Sequence, residues 1–192
     1  MQLLERFIVD KKTDMLCPYF TQTGLIYTFL LRNAKKLLVK KSPLKVIEDS
    51  LLFYGDSYQA VKENACQLLG KKTIVPIVIN AKKPIYLFPT HSESKACNMW
   101  FSLDAIQVSE PFGKDFTKVT FYDGTSQLIQ VSHSLFASRY GDTCYYKELR
   151  ERRIMCNPFK LSNVQTTFKI DVDVKSDTCT IFENAKKITV HT

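Results

Sequence analysis

The sequence predicts an α+β fold built on a largely antiparallel β-sheet with a few helices. Three observations carry that expectation. Short β-rich runs separated by turn residues fill much of the chain, without the regular strand and helix alternation of a parallel α/β protein. Asp123-Gly124 lies between β-branched and aromatic residues, which is a hairpin signal. The tail alternates Phe168, Ile170, Val172 and Val174, the period of two of a half-buried strand.

Taken in order, Phe7 to Asp10, Met15 to Phe20, Leu25 to Arg32 and Leu37 to Lys41 read as strands broken by Asp14, Gly24 and Asn33. Ser42-Pro43 offers a cap and a first-turn proline for a helix through Ile47 and Leu51 that ends before Gly55. Ser57 caps a second helix through Val61, Ala65, Leu68 and Leu69, with Gly70 as its stop. Ile77 to Ile79 and Ile85 to Phe88 follow as buried strands around a turn containing Lys82-Lys83-Pro84. A hairpin over about 119–131 is expected to turn through a type I′ Asp123-Gly124 pair, facing Val119 to Leu128 and Phe121 to Ser126. The longest helix, about 134–155, starts at Ser132 or Ser134, with a break expected near Gly141-Asp142. Thr178 to Phe182 and Ile188 to Val190 supply partners for the tail strand, making residues 157–192 a β-rich element suited to an intersubunit edge.

Composition narrows the function. The chain has 192 residues, 45% apolar and 24% charged, which fits one globular domain over 1–192 and needs no second. Cys17, Cys66, Cys97, Cys144, Cys156 and Cys179 are irregularly spaced, with no C-x-x-C pair and no histidine at metal-ligand spacing, so no metal site is expected. The first twelve residues lack the apolar core of a signal peptide, and no apolar run reaches the ~20 residues of a membrane span, so a cytoplasmic protein with reduced thiols is expected. There is no G-x-x-x-x-G-K, G-x-S-x-G or H-E-x-x-H, and His91, His133 and His191 have no partner at a telling spacing. No catalytic residue and no cofactor are expected.

Charge points elsewhere. Between Arg32 and Lys83 the chain carries 11 Lys/Arg against 4 Asp/Glu, nearly all of the formal +8 of the whole. Lys35-Lys36, Lys40-Lys41, Lys71-Lys72 and Lys82-Lys83 each adjoin an apolar run, so the charge is mounted on folded structure. Two readings of it stand: a solvated lysine face, or a patch whose lysines displace counterions from nucleic-acid phosphates. On the long helix Arg139 and Arg150 are eleven residues apart, close to three turns, with Arg153 near the same stripe. Such a row suits a phosphate backbone or a narrow minor groove; equally, it suits pairing with Glu148 and Glu151. Tyr54, Tyr58, Tyr145 and Tyr146 read as core material rather than base-stacking platforms.

A set of segments in order resembles the ComK family, the competence transcription factors of Gram-positive bacteria, best over about 43–150. Phe53-Tyr54-Gly55-Asp56-Ser57-Tyr58 is similar to the family's F-[FY]-G-S-S-Y, followed by Pro76-Ile77-Val78-Ile79. Ile85 to Phe88 with Pro89-Thr90-His91-Ser92 resembles its strand ending in F-P-T-x-S, and Cys97 and Trp100 resemble its cysteine and tryptophan pair. Val119-Thr120-Phe121, Gly124 and Val131-Ser132 complete the match. Two positions depart from the family pattern. Val61 then Lys62 stand where the family tends to place an arginine, and Arg139-Tyr140-Gly141-Asp142-Thr143 replaces a Q-x-x-R-T pattern.

The resemblance implies a transcription activator of competence genes that binds double-stranded DNA at paired AT-rich promoter boxes, from the minor-groove side, as a dimer or tetramer. It also implies an adaptor that hands the protein to a cytosolic ATP-dependent protease, and a cytoplasmic, nucleoid-associated location. The candidate DNA contacts are Lys35, Lys36, Lys40, Lys41, Lys62, Lys71, Lys72, Lys82, Lys83, Arg139, Lys147, Arg150 and Arg153. The alternative is a paralogue that keeps the fold without binding DNA and heteromerises with a competent family member.

Overall fold

The structure, a computed structural model, describes residues 2–71 and 73–155 in full, and beyond them the backbone of three strands. The chain divides into two compact units, 1–153 and 154–192. In the first, strands β1 (Gln2–Leu4), β2 (Thr13–Phe20), β3 (Ile26–Arg32), β4 (Lys35–Val39), β5 (Ile77–Ile79), β6 (Ile85–Pro89) and β7 (Trp100–Ser102) form one sheet in the order β1-β4-β3-β2-β7-β6-β5. Every neighbouring pair is antiparallel except β1 with β4. Strands β8 (Ile106–Phe112), β9 (Phe116–Phe121) and β10 (Ser126–Ile129) make a second antiparallel sheet. The predicted α+β class with a largely antiparallel sheet is what forms.

Successive strand residues face opposite sides of the large sheet, and the two sides pack different cores. Leu16, Leu30 and Trp100 face helices α1 (Pro43–Phe53) and α2 (Tyr58–Leu69), burying Val46, Ile47, Leu51 and Ala65. Met15, Leu31 and Phe101 face the second sheet and meet Val119, Phe121 and Ile129. Helix α3 (His133–Met155) belongs to both, with Phe136 in the second core and Tyr146 in the first.

Both short helices begin and end where their residues say. Ser42 Oγ accepts the Lys45 N–H and Ser57 Oγ accepts the Ala60 N–H. Gly70 closes α2 at φ +63°, and a Cβ there meets open space. Gly70→Ala should therefore cost only the backbone penalty, about 1 kcal/mol in urea unfolding. A loss below a few tenths would mean that α2 ends by another route.

Four expectations need correction. Phe7 to Asp10 is not a strand. The Val9 N–H donates to Ser50 Oγ and the Asp10 carboxylate holds Arg32, so side chains take the place of a ladder. The Asp123-Gly124 hairpin is not type I′, because only Gly124 (φ +82°) is left-handed. Phe121 O accepts the Gly124 N–H and its N–H donates to Thr125 O, so the loop is Tyr122-Asp123-Gly124, a tight turn followed by a glycine bulge. That extra residue shifts the register by one, pairing Val119 with Gln127 and Thr120 with Ser126. Finally, Gly141 does not break α3, which runs unbroken for 23 residues because Phe136, Thr143 and Tyr146 anchor it on both sides of the glycine.

The second unit contains strands β11 (Phe168–Asp173), β12 (Thr178–Glu183) and β13 (Lys186–Val190) in an antiparallel meander. The alternating tail strand and both expected partners are present. Val174, the last residue of that alternation, lies outside the described residues.

Candidate nucleic-acid interface

The antiparallel run β4-β3-β2-β7-β6-β5 decides where the lysine doublets go. Because direction reverses at each step, the β3–β4 and β5–β6 turns leave the sheet at the same end. The first delivers Lys35 and Lys36, the second Lys82 and Lys83, and all four are exposed with no ion pair among the described residues. Four strand spacings separate the turns, roughly 19 Å at the usual ~4.8 Å each.

The C-terminal half of α3 joins this end beside β5 and β6. Arg150 lines a cleft of about 210 Å3 with Ala81, Val78, Asp56 and Asn64. Its guanidinium donates to Tyr86 Oη at 3.5 Å, a long contact that leaves its other donors open. Neither Glu148 nor Glu151 pairs with it; Glu148 takes Arg152 at 2.5 Å instead. Arg153 is exposed one turn further on and without an ion pair among the described residues. Lys147 sits 5.5 Å from the centre of the Tyr86 ring and donates to Asp104 Oδ1 at 2.9 Å, and that contact holds its ammonium above the usual lysine range.

The remaining described candidates sit beside carboxylates of the same chain. Lys40 pairs with Glu5 and Lys41 with Asp49, both at 2.5 Å, where β4 runs out towards α1. Lys62 pairs with Glu93, which also accepts the Tyr58 hydroxyl at 2.8 Å. Asp142 holds Lys71 and lies 3.9 Å from Arg139, whose buried Nε has no hydrogen-bond partner. The stripe expected from Arg139 to Arg150 therefore exists by spacing, but only its C-terminal part presents free charge. Val61 is buried in the core between α2 and the sheet, so the departure from the family pattern there is a packing residue. Lys72 lies outside the described residues.

Of the tyrosines, Tyr146 is buried as expected, and Tyr58 packs edge-on against Trp100. Tyr145 departs from the core reading at 55% exposure. Sequence reading missed Tyr86 and Asp104, which steer Arg150 and Lys147, because those contacts span 64 and 43 residues and leave no local trace.

Among the described residues no three His, Cys, Asp or Glu side chains gather as metal ligands, and no helix is long and apolar enough to cross a membrane. Burial pushes the thiol of the half-buried Cys17 up to about 11, which favours the thiol over the thiolate.

The α+β scaffold thus collects the unpaired lysines Lys35, Lys36, Lys82 and Lys83 at one sheet end. The profile of the family described as ComK protein matches residues 4–155, and the chain belongs to that family. It is 26% identical over 151 residues to the competence transcription factor of Bacillus subtilis (strain 168), covering 79% of this chain and 78% of that protein. No solved structure matches it. Family and relative place the chain among competence transcription regulators.

Proposed function

We propose that the chain activates competence genes by binding double-stranded DNA with the sheet end that carries Lys35, Lys36, Lys82 and Lys83, assisted by Lys147, Arg150 and Arg153. The observation that supports this most is the sorting of charge: where carboxylates neutralise the other candidates, these turns stay unpaired. Two lysine turns roughly 19 Å apart suit phosphates on separate strands, fixing register without reading bases. Arg150 and Arg153 are the candidates for the groove, whose narrow A·T tracts favour guanidinium. Paired AT-rich boxes then require a dimer or tetramer, for which the β11–β13 meander of the C-terminal element supplies strand edges. The same reading puts the protein at the nucleoid in the cytoplasm, and its removal with an adaptor and an ATP-dependent protease.

The test compares an AT-rich duplex carrying two spaced boxes with a G·C-rich duplex over a salt series. Replacing Lys82 and Lys83 with alanine should weaken binding to both and flatten the salt slope by roughly two units. No preference between the duplexes, with Kd weaker than ~10⁻⁶ M at physiological salt, would reject the reading.

A second reading has its own support. Lys40, Lys41, Lys62, Lys71, Lys147 and Arg139 are all engaged by carboxylates of the same chain. A paralogue that heteromerises without binding DNA would look like this, and would bind neither duplex while still capturing a DNA-competent family member.

A further inference from the structure

The β3–β4 turn is held in an unusual way. Asn33 (φ +45°) and Ala34 (φ +60°) are both left-handed, the type I′ geometry that matches strand twist and ordinarily recruits glycine or asparagine. Asparagine tolerates that conformation, but alanine has no side chain with which to support it. Three consecutive residues are instead gripped by three carboxylates. Asp10 Oδ2 takes the Arg32 guanidinium at 2.6 Å, Asp14 Oδ2 accepts the Asn33 N–H at 2.7 Å, and Asp123 Oδ2 accepts the Ala34 N–H at 2.5 Å.

The last grip is the informative one. Asp123 belongs to the β9–β10 loop of the other sheet, 89 residues away, and its second oxygen is already used at home. Oδ1 accepts both the N–H and the hydroxyl of Thr125, at 2.8 and 2.6 Å. One carboxylate therefore staples two hairpins from two sheets. Its charge is spent on backbone amides and a hydroxyl, so Lys35 and Lys36, the next two residues, remain unpaired.

We infer that Asp123 is a positioning residue for nucleic-acid binding: by holding Ala34 left-handed from the second sheet, it fixes where Lys35 and Lys36, on opposite faces at the start of β4, stand at the sheet end. Without that acceptor the turn relaxes towards a right-handed type, which splays strands that twist the other way and carries both lysines off line. The inference rests on the proposed DNA reading, and it adds that the small sheet sets the binding geometry although it carries none of the candidate contacts.

The experiment uses the full chain and the two-box AT-rich duplex. Asp123→Asn keeps an oxygen for Thr125 but turns an amide NH2 towards Ala34. It should flatten the salt slope by roughly one to two units, the same change expected of Lys35→Ala with Lys36→Ala. Adding Ala34→Gly, which adopts the turn unaided, should restore most of the slope, whereas a general loss of folding would not be rescued at that position. On the Lys35/Lys36 double alanine background, Asp123→Asn should change nothing further. Amide exchange at Ala34 should be slow in the wild type and at least tenfold faster in Asp123→Asn. A wild-type slope in Asp123→Asn, failure of Ala34→Gly to rescue, or additive losses overturns the inference. The outcomes also separate from the parent reading: if Lys82→Ala with Lys83→Ala flattens the slope and the Lys35/Lys36 variant does not, DNA binding at this end stands and the positioning role falls. If neither pair matters, both fall.

Discussion

Phe136→Ala should lower the unfolding free energy by ~3 to 5 kcal/mol, a large part of the roughly 5 to 15 kcal/mol that holds a typical domain folded. Phe136 has no exposed surface and sits between the two sheets, with its ring edge-on to Phe101 at 5.2 Å and at a steep angle to Phe88 at 5.4 Å. Phe101 in turn stacks on Phe121 of the second sheet at 6.4 Å. Removing the ring costs its transfer energy and leaves a cavity that strand backbones on two sides cannot collapse to fill. It also unfastens the first turns of α3, where Phe136 is the one fully buried residue before Thr143. Phe136→Leu, which retains most of the volume, should lose much less. Equal losses for the two variants in urea melts would show that ring packing is not what anchors the helix.

The second large effect is one of pH. Asp14 is only 6% exposed, and burial pushes its carboxyl up to about 6, with Asp123 and Asp10 adding to the rise and the Asn33 N–H and Arg32 opposing it. Between about pH 4 and 6 the folded chain therefore holds a proton that the unfolded chain has lost. The resulting stability is complete below the unfolded value and disappears as pH rises through 6. A shift of two units corresponds to at most about 3 kcal/mol, and partial hydration at the sheet end brings the expectation to about 1 to 2. Other groups act in the opposite sense. Burial lowers the pKa of His91, which removes stability as pH falls below about 6.5, while Lys62 holds Glu93 low and Lys41 holds Asp49 low, contributions lost only near pH 4 and below. Asp14→Asn isolates the one term. On going from pH 7 to 4.5, the wild type should gain about 1 to 2 kcal/mol relative to the variant in parallel denaturant melts. A difference independent of pH would mean that Asp14 titrates as an ordinary carboxylate.

How legible all this was in the residues depends on the range of the interaction. Ser42, Ser57 and Gly70 announced helix ends because a cap is settled within three or four residues. Strands Ile77–Ile79 and Ile85–Pro89 were readable from apolar runs because they are buried along their whole length. Local propensity favours a type I′ turn at Asp123-Gly124, but the turn lies at Asn33-Ala34, where distant carboxylates impose it. Gly141 reads as a break because its helix propensity is poor by about 1 kcal/mol, a penalty that the buried anchors of α3 outweigh. The basic block was visible as charge, but sequence cannot say which lysines face a carboxylate. Glu93 lies 31 residues from Lys62 and Asp142 lies 71 from Lys71. The strand order sorts the doublets on the sheet, and Asp142 of α3 takes Lys71.

That strand order has a seam. Strands β1 to β4 come from the first 39 residues and β5 to β7 from 77–102, and among the described residues one ladder joins the halves, Met15 with Phe101 and Leu16 with Trp100. Within each half the antiparallel strands pair with near neighbours in sequence, and the parallel β1–β4 pair spans 35 residues (Gln2 with Leu37), whereas the seam must close a loop of more than eighty residues before any of its contacts reward the chain. Folding should thus complete two small local sheets early and join them late. The distance between the two lysine turns has no value in either half alone and comes into existence with that joining. On the proposed reading, recognition of a spaced target would then belong to the finished molecule, and a nascent chain or a fragment that ends before Trp100 would carry the charge without the ruler.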